Sequence, residues 1–395
     1  MLIRIFNTLK QNLAIFLISI WLLIPYFAYN NYARLLAFLA FSFFLFKNEK
    51  RINKKLLFGI LLYIIYTFTI NALFSANSYM LRHLQLYILF GCILIAYIIT
   101  KQEDAIKNKI KYIILSLNLI ALLSSLYVLK DNMGAARLLA KSTDEAVELS
   151  NKGLGGYGLI YANVLMLPLF FYYRKRTNNL YKQVLIYANI LFSITFILLA
   201  DYLIAIILII FQLLTFLFIK ASYADRIIII GILLVTLLLF YNNLNYFDKL
   251  TYSWVEFSSL RYKQEDIFNM FRGVDGNNNT IDGRTGRYFR SLNLLASNPI
   301  TGTFSFDEIG KHSNIIDQFA QYGIIFGFLM LRIIFMLPQN LLRTTNNEYL
   351  KYFLNIYMVT LILLGILNNY GAAMGCSFLL LSCVENKSMK SLKFE

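Results

Sequence analysis

Two stretches of the chain hold side chains suited to chemistry, and they lie close together in sequence. The first, Asp282-Gly283-Arg284-Thr285-Gly286-Arg287-Tyr288-Phe289-Arg290, sets Arg284, Arg287 and Arg290 three residues apart. At helical spacing the three step along one polar edge. A guanidinium carries a fixed charge and a planar fork that bonds two oxygens at once, so such an edge suits a diphosphate. It equally suits an interfacial helix whose arginines meet lipid headgroups. Phe289, Leu292 and Ala296 would then share an apolar side lying on the membrane surface or on a helical bundle. The segment runs on to Ser297 and stops at Asn298-Pro299, because the residue before a proline is pushed out of the helical region.

The second stretch begins with the turn Ile300-Thr301-Gly302-Thr303-Phe304 and continues through Lys311-His312-Ser313-Asn314 to Asp317 and Ala320-Gln321-Tyr322-Gly323. Near neutral pH a histidine takes a proton from a hydroxyl or holds one for a phosphate, and a neighbouring carboxylate tunes it. His312 stands at the mouth of an apolar run, and Asp317 follows about a turn and a half later. A carboxylate entering a membrane span is costly and marks a candidate site. Its structural alternative is a helix cap, with Ser313 or Asn314 as N-cap and Asp317 in the first turn. Capping explains Ser313 and Asn314 better than chemistry does; His312 reads as functional. The chain contains no Asp-x-Asp pair.

Such side chains need elements to hold them. Of 395 residues 58% are apolar and 15% charged, with a mean hydropathy of +0.60, so the polar residues cannot cover a water-soluble surface. The expected fold is all-α, a polytopic transmembrane helical bundle of about 12 spans with a long, partly helical periplasmic loop. Spans are expected at 12–29, 32–46, 56–74, 83–100, 112–129, 157–173, 183–200, 202–219, 227–241, 315–337, 352–369 and 372–384. Residues 1–241 then carry nine of them, 242–314 form the long loop with a short amphipathic helix, and 315–395 carry three more and a tail. The run after Arg4 and Lys10 ends without a small-residue cleavage pattern, so it is expected to remain as the first span.

With the amino terminus inside, 22 of the 37 Lys and Arg fall in the expected cytoplasmic segments beside only seven acids. That is the bias of cytoplasmic loops, so both termini are expected in the cytoplasm and the net charge of +16 is mostly a topology signal. Lys clusters in short membrane-edge loops without interleaved aromatics do not make a nucleic-acid surface. Cys92, Cys376 and Cys383 all fall inside expected spans, which leaves no disulfide framework. His83, beside Arg82 at a span end, reads as an interface residue, and Asp201 as a polar residue in a hairpin. A flippase or ion-coupled transporter would bury ionisable residues at mid-membrane and often repeat its halves. The spans here hold few charges and show no internal repeat.

The two chemical stretches resemble the O-antigen polymerase and O-antigen ligase group of polytopic membrane glycosyltransferases. The likeness is carried by the Gly-Arg helix, by Arg284 fifteen residues before Pro299, by the glycine-containing turn, and by His312-Ser313-Asn314 opening a segment that closes on Tyr322-Gly323-Ile324 and Gly327. It covers about 45 residues closely; elsewhere the agreement is of layout, with Leu154-Gly155-Gly156-Tyr157 and Ala162-Asn163 leading into the sixth span. The resemblance implies a bacterial inner (cytoplasmic) membrane protein that needs no cofactor or metal. It would act on the periplasmic face, moving a glycan from an undecaprenyl-diphosphate-linked oligosaccharide to a hydroxyl. By position Arg284 would bind the diphosphate and His312 would act as base or orient the acceptor, with Asp317 a third catalytic candidate. Arg287, Arg290 and, from the earlier outer segment, Arg137 are further diphosphate candidates.

One departure stands out. Group members often carry an Arg after Ser or Thr at the outer end of the helix pair before the long loop, where this chain has Ala200-Asp201-Tyr202, so that role does not transfer. A polymerase would accept on a second lipid-linked repeat unit and a ligase on lipid A-core. The segment from Gly310 through Asp317 to Gly323 looks more like polymerases of O-antigen or capsular repeat units. Membrane lipids and a chain-length regulator in the same membrane are the partners the resemblance implies.

Overall fold

The computed structural model describes residues 2–28, 30–74, 80–131, 135–140, 144–200, 202–220, 280–305 and 307–385. Among these every regular element is helical: α1 (Leu2–Leu23), α2 (Pro25–Ala28), α3 (Asn31–Lys47), α4 (Lys54–Phe74), α5 (Met80–Thr100), α6 (Asp104–Asp131) and α7 (Asp144–Asn151). There follow α8 (Tyr157–Arg176), α9 (Leu180–Leu199), α10 (Leu203–Lys220), α11 (Thr280–Ser297), α12 (Asn314–Thr344), α13 (Glu348–Leu367) and α14 (Gly375–Leu381), with short 3-10 turns between some of them. Among the described residues six helical stretches are long and apolar enough to cross a membrane: Lys54–Phe74, His83–Thr100, Asp104–Lys130, Leu180–Leu199, Asn314–Thr344 and Glu348–Leu367. The expected ninth span, 227–241, and most of the expected long loop, up to residue 279, lie outside the described residues.

Helix starts follow local side-chain chemistry. Asn30 accepts from the Ala33 N–H, Asn179 from that of Lys182, and Asn347 from those of Tyr349 and Leu350, each relieving donors that a first turn leaves unpaired. The centre of the bundle is α8. It is apolar on all sides and almost wholly buried from Leu159 to Tyr173, as a helix surrounded by other helices must be. Its one internal amide anchors two neighbours. Asn118 on α6 donates to Asn163 Oδ1 at 2.8 Å and to Asn189 Oδ1 on α9 at 2.9 Å, while Ser193 donates to Asn163 Oδ1 at 2.7 Å. Amide contacts of this kind hold apolar helices together where burial of apolar surface supplies no preference.

Two expected spans take a different form. The stretch Ala372–Leu381 is a 3-10 turn followed by α14, about 15 Å of helix against a hydrocarbon core of about 30 Å, so 372–384 does not cross as one straight helix. It is buried between α5 and α8, with Gly371 beside Gly158 and the Leu380 carbonyl accepting from the Tyr173 hydroxyl, so the segment runs from one end of α8 towards the other. A Cβ on Gly375 would come within 2.6 Å of Cys92 Sγ, so the two backbones approach as closely as glycine allows. Cys92, Cys376 and Cys383 are buried free thiols.

The other departure is in α12, expected as one span over 315–337. Gly323 adopts φ 75° and ψ 177°, and the chain reverses there. Phe319 and Phe328 rings meet at 5.1 Å, and Asn314 Nδ2 lies 3.3 Å from Met330 Sδ, contacts that a straight helix forbids. Residues 314–322 therefore form a short helix folded back on 324–344, and the crossing helix begins after the glycine.

Candidate functional site

The reversal at Gly323 exposes backbone groups that need partners, and the turn after α11 supplies them. Thr303 N–H donates to Ala320 O and Phe304 N–H to Gln321 O, both at 3.0 Å, while Ile324 N–H donates to Pro299 O at 2.8 Å. Two glycines permit this exchange. Gly302 has φ 72° and lies against the Gln321 backbone, and a Cβ on Gly323 would overlap the Ile300 carbonyl. The Gly302 turn and the Tyr322-Gly323 segment are thus two halves of one backbone lock.

This lock sets α11 beside the short helix 314–322. Of the two placements open to the Phe289 and Leu292 side of α11, the bundle is not the one observed. Phe289 and Leu292 are exposed, at 60% and 42%, whereas Ser291 is fully buried. Its hydroxyl donates to Asp317 Oδ1 at 2.6 Å and accepts from Gly310 N–H at 2.8 Å. A buried carboxylate must be hydrogen-bonded, so the polar pair fixes the face and leaves Phe289 and Leu292 outward, where a membrane surface would meet them.

Asp317 has a structural position. Its Oδ2 accepts from Ser313 N–H at 3.0 Å, while Ser313 Oγ accepts from Ile316 N–H at 3.1 Å, a reciprocal cap closing the start of α12. The expected N-cap at Ser313 is where the structure places it. Asp317 does not enter a crossing helix; it lies before the reversal and joins α11 to the 314–322 segment.

Gly310 lets the loop approach α11 at Arg287, since a Cβ there would overlap the Arg287 backbone. Lys311 follows with φ 65°, an uncommon conformation for a side-chain-bearing residue, and pairs with Asp307 at 3.1 Å. His312 Nε2 then contacts Arg287 Nη1. A guanidinium has no acceptor, so a hydrogen bond between the two would use the lone pair of Nε2. Arg290 is exposed on the same helix. The side chains of Arg284 and Arg137 lie outside the described residues; Arg284 is on the first turns of α11, and Arg137 is in the 3-10 turn Ala135–Ala140.

The end of α13 completes the site. A helix leaves its last carbonyls unpaired. Here Tyr288 hydroxyl donates to Leu367 O at 3.0 Å, Ser313 Oγ to Gly365 O at 3.2 Å and Asn314 N–H to Asn368 O at 3.0 Å. Asn368 Nδ2 reaches Tyr161 hydroxyl at 2.7 Å, and Tyr157 hydroxyl donates to Asn369 O at 2.6 Å. Tyr157 and Tyr161 pack edge-on with Tyr202, whose hydroxyl donates to Ala136 O at 3.1 Å. The turn bearing Arg137 is thereby tied to the same end of the bundle as His312 and Arg287. Gly156 permits it, because a Cβ there would come 2.9 Å from Leu139.

A second polar group was not legible in the sequence. His83, at the start of an apolar stretch, is buried at 3% exposure, and its Nε2 lies 3.0 Å from Tyr322 hydroxyl. That hydroxyl also reaches Asn71 Oδ1 at 3.1 Å, and Tyr63 hydroxyl bonds Gln318. The reversal is what brings Tyr322 to His83, so hydropathy gave no warning of it. Among the described residues no group of three or more His, Cys, Asp or Glu could hold a metal ion.

Comparison with protein-family models, curated proteins and solved structures returned no match.

Proposed function

We propose that this chain is a membrane glycosyltransferase of the O-antigen polymerase type, taking a glycan from a polyprenyl-diphosphate donor at the end of the bundle where α11 and the His312 loop meet. The observation that carries the reading is the Arg287–His312 contact. Neither Arg287 nor Arg290 has a carboxylate partner among the described residues, and the side chain that Arg287 contacts is another base. Guanidinium groups so placed fit an anionic ligand, and their fork fits a diphosphate.

The chemistry follows from that pair. The anomeric C–O bond of the donor breaks, and its electrons leave with the diphosphate, whose growing charge Arg287 and its neighbours Arg284 and Arg290 stabilise. As Arg287 turns to the diphosphate, His312 Nε2 is released and takes the proton of the acceptor hydroxyl while the new C–O bond forms. Asp317 and Ser291 hold α11 against the loop and so act as positioning residues. On this reading the site faces the periplasm, both termini are cytoplasmic and the bundle has about twelve spans. The acceptor of a polymerase is a second lipid-linked repeat unit; that of a ligase is lipid A-core.

The test is deletion of the gene in its host, complementation with wild type or His312→Ala, and separation of the surface glycan by size. Core carrying one repeat unit is the expected result for the deletion and for His312→Ala. Bare core with long lipid-linked chains accumulating would identify a ligase, and an unchanged ladder with His312→Ala would reject the site.

A further inference from the structure

At the opposite end of α8, about 26 Å from Tyr157, a recess of about 330 Å³ opens between α8, α9, α10 and α13. Its walls are Arg174, Lys175, Gln183, Tyr187 and Tyr349, over a floor of Phe171 and Phe216. The two cations are held in place by aromatic faces. Arg174 stacks 4.8 Å over the Tyr187 ring and donates from Nε to its hydroxyl at 2.5 Å, and Lys175 Nζ lies 4.2 Å over the Tyr349 ring. Such contacts fix a long side chain while leaving its remaining donors available.

No carboxylate lines the recess. Among the described residues none pairs with Arg174 or Lys175, and Glu348, beside Tyr349, is engaged by Lys351 at 2.7 Å. The first turns of α9 and α13 contribute Gln183 and Tyr349, so two helix starts also face the recess with positive potential. Below the cations the surface turns apolar at once, with Phe171 and Phe216 stacked at 5.3 Å. A phosphate at the rim with hydrocarbon beneath it is the chemistry of a phospholipid, and basic pockets between helices at a membrane edge take such headgroups.

We propose that this recess binds the phosphodiester headgroup of an anionic phospholipid, between Arg174 and Lys175, with an acyl chain over Phe171 and Phe216. The site is remote from His312 and independent of the transferase reading. Two sources of phosphate are separable by experiment. The full chain in nonionic detergent is titrated with phosphatidylglycerol, with phosphatidylcholine of the same acyl chains, or with inorganic phosphate, and thermal protection and retained lipid are read by melting and native mass spectrometry. Retention of phosphatidylglycerol over phosphatidylcholine is expected. It should be weaker by about thirtyfold in the double variant Arg174→Gln/Lys175→Gln, each cation contributing about a factor of five at a membrane surface. The exposed pair Lys54→Gln/Lys55→Gln, at the same end of the bundle, should leave it unchanged. Equal retention of the two lipids, or equal loss in both double variants, would overturn the proposal. Protection by inorganic phosphate alone would assign the recess to a soluble anion and overturn the lipid. Should the double variant fail to fold, the wild-type comparison of the three ligands decides by itself.

Discussion

Replacing Gly323 with alanine tests the structure at its least conventional point. The residue has φ 75° and ψ 177°, a region open essentially to glycine alone, and a side chain there is strained by about 1–3 kcal/mol. The new Cβ would also overlap the Ile300 carbonyl and come 2.9 Å from the Thr301 carbonyl carbon. Moving the turn aside would break the bonds from Thr303, Phe304 and Ile324, each contributing about 0.5–1.5 kcal/mol. Strain and lost bonds together come to about 3–7 kcal/mol, a large share of a typical total of about 5–15 kcal/mol. The least costly response is for α12 to straighten. Sixteen residues of straight helix would put about 24 Å between Asn314 and Met330, whose side chains now touch at 3.3 Å. The assay is a cross-link between cysteines placed at 314 and 330, in a chain whose Cys92, Cys376 and Cys383 are alanine. The pair should join readily with Gly323 and fail to join with Gly323→Ala. A variant that cross-links and melts like the parent would show that the reversal does not depend on glycine at 323, and a parent pair that fails to join would show that no reversal exists and that α12 is one continuous span.

Gly286→Ala is the matched control: no atom lies within 4 Å of its would-be Cβ, so the variant should keep its transfer activity and gain up to about 1 kcal/mol of helix stability by thermal melting. Ser291→Ala leaves Asp317 and the Gly310 N–H each short of a buried partner, and should lower stability by about 1–3 kcal/mol and transfer activity with it. Asn163→Ala removes the acceptor shared by Asn118 and Ser193 and should cost about 1–2 kcal/mol in melting, with the glycan ladder of the surviving protein unaltered in length. EDTA added to purified protein should leave the transfer rate unchanged on the proposed mechanism; inhibition reversed by a divalent cation would reject it.

The positions of most helices were legible because burial in a bundle and hydropathy along the chain report the same thing. The starts of α3, α4 and α13 fall within about four residues of the expected spans, and the Ser313 cap followed from its serine and the carboxylate four residues on. The reversal was not legible, because Tyr322-Gly323-Ile324-Ile325-Phe326-Gly327 reads as uninterrupted apolar helix. A glycine gives no sign of its φ, and the evidence for this one lies twenty-one residues away, in the matching conformation of Gly302. The same blindness left open whether Asp317 enters a span or closes a helix start, and hid the pairing of His83 with Tyr322, 239 residues distant. For α11 the apolar face was legible but its use was not, since the side that docks carries Ser291 with Leu294 and Leu295, which pack against Ile309 and Ala320.

The location of the site can be argued without any family likeness. Breaks in apolar helices are costly in a membrane, because every freed N–H and C=O must find a partner away from water, and irregular backbone persists at that depth only where protein or a polar cavity receives it. Among the described residues two such breaks, at Gly323 and after Leu367, adjoin. The carbonyls left by the second are taken by Tyr288, Ser313 and Asn314, residues that flank His312 on α11 and on α12, and Asn369 Nδ2 reaches Lys311 O at 3.3 Å. Broken helices that meet in this way are how membrane proteins build binding sites from polar backbone. Two breaks at separate places would each need its own explanation as a local irregularity. Two that satisfy each other, with a guanidinium and an imidazole in contact between them, are economically explained by one site, and on the proposed function the charge of Arg287 would make its ligand an anion.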